Sequence, residues 1–144
     1  MRTQNVNKKG FTLAEVLIAS LIAGLCLAGA MTAISSNVQL TIQSEEMSQA
    51  VFLAQEIREW SLNISFASIS TMAMSSVSPK DSEGETLAGY NGWTETITVT
   101  YVNPSTLADS ASVTTMAKVG VTLQLNGKTV FATSWLVADF TGDT

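Results

Sequence analysis

The feature that most constrains this 144-residue chain is a run of 24 residues, Phe11 to Ile34 (FTLAEVLIASLIAGLCLAGAMTAI), carrying one charge, Glu15. As a helix rising ~1.5 Å per residue it would be about 36 Å long. A bilayer core is crossed by about 20 apolar residues. No proline precedes Pro79, so nothing interrupts such a helix. Residues 1–10 (MRTQNVNKKG) hold Arg2, Lys8 and Lys9 and no acid, whereas everything after Gly10 has twelve acids against four bases, a net charge of −8. A basic tip, an apolar run and an acidic remainder predict one membrane-inserted helix with the tip held in the cytoplasm.

Composition removes several function classes. The net charge of −5 and pI near 4.5 leave no basic face for nucleic-acid phosphates. The absence of histidine removes the commonest general base and the commonest metal ligand. One cysteine, Cys26, excludes an internal disulfide. Serine and threonine are plentiful, but none has a recognisable activating base, and there is no glycine-rich phosphate loop. The sequence therefore predicts neither an enzyme nor a metal or cofactor site. Asp81, Glu83 and Glu85 match no calcium-loop spacing and read as a solvated acidic turn.

Three readings compete for the N-terminal region. A cleaved secretory signal fits the basic tip and apolar run, with Ala28-Gly29-Ala30 as its cleavage site. It would free a secreted or periplasmic binding module, but it gives Glu15 no purpose. A charge at the bilayer centre costs roughly 2.5–3.5 kcal/mol on insertion scales. A lipoprotein anchor at Cys26 requires a small residue just before the cysteine, and Leu25 stands there. The third reading takes residues 8–17, KKGFTLAEVL, as one unit.

That unit resembles the class III signal of type IV pilins and type II secretion pseudopilins. It has the basic pair Lys8 and Lys9, then Gly10, Phe11, and Glu15 four residues further on. The resemblance implies that a prepilin peptidase cuts after Gly10 and methylates the new amine of Phe11. It implies that Glu15 serves subunit assembly by meeting the Phe11 amine of a neighbouring subunit. The implied partners are the peptidase, other pilin or pseudopilin subunits and an inner-membrane assembly platform. The implied location is the bacterial inner membrane, single-pass, with the head outside, and then a pilus or pseudopilus. Physical chemistry agrees about Glu15: a lone intramembrane carboxylate needs a partner, and no Lys or Arg follows it before Arg58.

After Ile34 the pattern becomes amphipathic. Leu40, Met47, Ala50, Leu53, Ala54, Ile57, Trp60 and Ile64 recur mostly at spacings of three and four. One helix from about Phe11 to about Ser61 is predicted, apolar all round in its first half and wet on one face in its second. Residues 67–92, rich in Ser, Thr, Gly and acids, read as a connecting loop. Three strands with period-two alternation follow, over about 93–102, 115–125 and 128–138. Asn126-Gly127 between the last two marks a tight hairpin. A plain two-residue loop would pair Leu125 with Lys128, Leu123 with Val130, Val121 with Ala132 and Val119 with Ser134. Leu136 would then face the core, while Phe131 and Trp135 would stand on the wet face. Either the 67–92 loop or the C-terminal tail covers them, or they form a partner surface.

The expected fold is therefore α+β: a long N-terminal helix, transmembrane in its first half and amphipathic in its second, on a small antiparallel sheet of three to four strands. The expected parts are a leader (1–10), an assembly helix (11–34), an amphipathic helix (35–66), a connecting loop (67–92) and the head sheet (93–144). Many major pilins carry a closing disulfide and a first-helix proline, and both are absent here. That likens the chain to minor pilins and to the minor pseudopilin I.

Overall fold

A computed structural model describes residues 10–139; Lys8, Lys9 and the tail residues 140–144, Asp143 included, lie outside the described residues. The chain divides into two compact units, Met1–Gln43 and Ser44–Thr144. Helix α1 (Leu13–Asn63) is followed by a 3₁₀ helix (Phe66–Met72) and four strands: β1 (Met74–Val77), β2 (Trp93–Tyr101), β3 (Met116–Leu125) and β4 (Lys128–Ala138). The strands form one antiparallel sheet in the order β1-β2-β3-β4. The architecture is α+β, with a long N-terminal helix and a four-stranded antiparallel sheet.

In the first unit the apolar side chains of α1 have no cover. Leu13, Leu21, Leu25 and Met31 are each more than 60% exposed. In the second unit the amphipathic stripe does what its spacing predicts: Ala50, Leu53, Ala54 and Ile57 are buried. They share a core with Ile69 and Met72 of the 3₁₀ helix, Trp93 and Ile97 of β2, and Ala117, Val119, Val121 and Leu123 of β3. Alternate residues of β3 point inward, as a half-buried strand requires.

The segment 67–92 is more structured than a connecting loop. It begins within the 3₁₀ helix and contains β1, whose Met74 and Val77 pair with Ile97 and Glu95. Short apolar anchors explain this: Ile69, Met72 and Pro79 are fully buried among otherwise polar neighbours. The acidic turn is organised by its first residue. Asp81 Oδ1 accepts the backbone N–H of Glu83 and of Glu85, each at 2.9 Å. Glu56 of α1 accepts the N–H of Ser82 at 3.0 Å and ties the turn to the helix. Gly84, at φ +85°, lies against Trp60, so a Cβ there would approach the indole to 2.7 Å.

The hairpin forms at Asn126-Gly127, both with positive φ, as a type I′ turn needs. Its register, however, differs from the plain two-residue expectation. Leu125 pairs with Lys128 and Gln124 with Thr129, but Leu123 pairs with Phe131, Val121 with Thr133 and Val119 with Trp135. A bulge at Val130 inserts one extra residue and flips the rest of β4. Phe131, Trp135 and Val137 therefore turn toward the core cluster, and Leu136 turns outward, 47% exposed. The physical reason is area: two aromatics, each able to bury ~150–250 Å², outweigh Ala132, Ser134 and Leu136.

Candidate functional site

The site is the start of α1. Gly10 and Phe11 precede the helix, and Phe11 is 87% exposed. Thr12 is the residue just before the first helical position. Its carbonyl accepts the N–H of Val16 at 3.2 Å, the first bond of the helix ladder. Thr12 and Glu15 then satisfy each other. The backbone N–H of Thr12 donates to Glu15 Oε2 at 2.8 Å, and the Thr12 hydroxyl donates to the same oxygen at 2.9 Å. The N–H of Glu15 donates to Thr12 Oγ1 at 3.3 Å. This is a capping box, in which a hydroxyl residue and a carboxylate three positions later satisfy free N–H groups at a helix start.

The arrangement bears on what a cut after Gly10 would do. Every atom of the capping box lies on the far side of that bond, so the box survives the cut. The cut would turn the Phe11 amide into a cationic amine two residues before the first helical residue. A positive charge is disfavoured there, because the helix dipole already places about half a positive charge at its N-terminus. Glu15 in the first turn supplies the opposing charge. No Lys or Arg follows Glu15 before Arg58, but the Thr12 hydroxyl gives it a side-chain partner within the chain. The signal was legible as Thr-x-x-Glu ahead of an apolar run.

The structure places the remaining sequence candidates elsewhere. Phe131 and Trp135 are half-buried on the core side of the sheet, in contact with the second unit's stretch of α1. Trp135 Nε1 donates to Ser61 Oγ at 2.9 Å, and Ser61 donates onward to the Arg58 carbonyl at 2.6 Å. It is α1 that lies against them, while the tail beyond Asp139 is outside the described residues. Both residues line a groove between α1 and β4, together with Val51, Arg58 and Leu62. Cys26 is exposed on α1. Among the described residues no group of three or more acids and cysteines converges to hold a metal ion.

A family model, the prokaryotic N-terminal methylation motif, matches residues 5–31. The matched span includes Gly10, Phe11, Thr12 and Glu15 and ends within the first unit of α1. No curated protein and no solved structure matches the chain. The motif supports a type IV pilin-like precursor. The long helix and antiparallel sheet are consistent with a pilin fold, and α1 is long and apolar enough to cross a membrane.

Proposed function

We propose that the chain is a structural minor subunit of a type IV pilus or of a type II secretion pseudopilus. The precursor is anchored in the bacterial inner membrane by the front of α1, with residues 1–9 in the cytoplasm and the head on the far side. Prepilin peptidase cuts between Gly10 and Phe11 and methylates the Phe11 amine. The subunit then leaves the membrane and packs its apolar helix against those of other subunits. The observation that carries this reading is the joint presence of the methylation motif and a helix whose front half is uncovered. A Cβ added at Gly24 or Gly29 would meet nothing within 4 Å, so packing inside the chain does not require these glycines. They suit close approach by a neighbouring helix. Ordinary signal cleavage near Ala30, releasing a binding module, is the alternative reading, and it gives Glu15 no role.

In assembly Glu15 exchanges or extends its bond to Thr12 toward a neighbour's Phe11 amine. The test is Glu15→Ala in cells. The variant should insert and be cut normally, yet enter filaments at least tenfold less than wild type, read by immunoblot of sheared filaments against membranes. Normal incorporation would refute the pairing role.

A further inference from the structure

Glu95 is a charged side chain where the fold has little use for one. It sits on β2 between Trp93 and Ile97, faces the core, and is 0% exposed. Neither carboxylate oxygen has a hydrogen-bond partner. Its cross-strand neighbours are Leu123 on β3 and Val77 on β1. The core face of β3 offers only Ala117, Val119, Val121 and Leu123, and β1 offers Met74 and Val77. From α1, Glu56 is engaged with Ser82, while Arg58 and Glu59 line the groove beside β4. From the segment between β1 and β2, Asp81 is taken up in its own turn. Glu83 and Glu85 are exposed, and Tyr90 stacks on Phe52. The group that acts on Glu95 is Lys80, yet its ammonium bonds Thr86 Oγ1 at 3.1 Å.

The two sides of Glu95 are held very differently. Nine consecutive residue pairs join β2 to β3. Two pairs, interrupted by an irregularity at which Ser76 adopts φ +51°, join β1 to β2. Beyond β1 the segment up to β2 forms no ladder among the described residues: the bridge Lys80 to Thr86 and the Asp81 turn shape it, and Ser82, Leu87 and Tyr90 seat it on α1 and the core. Water therefore reaches the Glu95 carboxylate more readily from the side of β1 and the segment after it, which carries Lys80, than from the β3 side.

We propose that Glu95 is the latch of a pH-gated flap: the segment Ser78–Gly92 stays seated over the core while Glu95 holds a proton and swings open as that proton is lost. Burial pushes the Glu95 carboxyl up to about 7, partly opposed by the backbone dipole and positive charge of the nearby Lys80. The folded value lies above the ordinary 4.5, so the closed flap binds the proton more tightly than the open one. Closure is strongest below pH 4.5, weakens as pH rises toward 7, and weakens no further above it. Opening uncovers Pro79 and the Trp60 face beneath Gly84.

The test is amide hydrogen exchange on the full chain in detergent, corrected for intrinsic rates, from pH 4.5 to 8.5. In wild type the opening of 78–92 should rise about tenfold per pH unit between about 5 and 7 and then level off. The β3–β4 hairpin should stay protected. Glu95→Gln should abolish the rise. Lys80→Met, which removes the favouring cation, should move the levelling point to higher pH and decides the matter should Glu95→Gln not fold. A pH-independent segment, a rise that survives in Glu95→Gln, a rise shared equally by the hairpin, or an unmoved levelling point in Lys80→Met would each overturn the latch.

Discussion

The two units treat the same kind of side chain in opposite ways. Leu21 of α1 is 66% exposed, and Leu53 of the same helix is 0% exposed. Local propensity does not distinguish them, since both are leucines in regular helix. The difference is what stands opposite: the sheet and 3₁₀ helix cover Leu53, and none of the described residues covers Leu21. Buried apolar area is favourable by roughly 25 cal/mol per Å². A helix surface this large and this apolar is stable only where lipid or another subunit replaces water. The second unit buries its own apolar residues, and the front of α1 does not.

Paired substitutions sharpen that contrast. Leu53→Ala should lower the unfolding free energy of the head by about 2–5 kcal/mol, the usual cost of a core truncation. Leu21→Ala should leave it unchanged while weakening assembly. Equal effects of the two on head unfolding, followed by tryptophan fluorescence in denaturant, would break the comparison. Next in size is Gly84→Ala, whose Cβ meets Trp60 at 2.7 Å in a backbone conformation with φ +85°. It should cost about 1–3 kcal/mol in the same assay. The smallest expected change is Trp135→Phe, which removes the bond to Ser61 and should cost about 1 kcal/mol. Adding Ser61→Ala should recover part of that loss. A Trp135→Phe variant with unchanged stability but lost partner binding would return Trp135 to the role of a partner surface.

The parts legible in the sequence were those with a local code. The apolar run, the amphipathic stripe, the Asn126-Gly127 turn and the Gly10-Phe11 signal each declare themselves within a few residues. The bulge at Val130 does not. It is decided by which face of β4 buries more area against α1, a tertiary comparison that moves Phe131 and Trp135 inward and Leu136 outward. β1 was hidden because four residues in a serine-rich stretch carry too little pattern, and its pairing depends on β2 being present first. Two further site features are readable in the sequence. The Thr12-x-x-Glu15 spacing announces a capping box, and the alternation Trp93, Glu95, Ile97 already puts an acid on the apolar face.

The most direct test of the account is the mass and sequence of the N-terminus of the protein purified from its native membrane. The account predicts a chain that begins at Phe11, heavier by one methyl group on its amine. A chain that keeps residues 1–10, or one that begins at Met31, would contradict it.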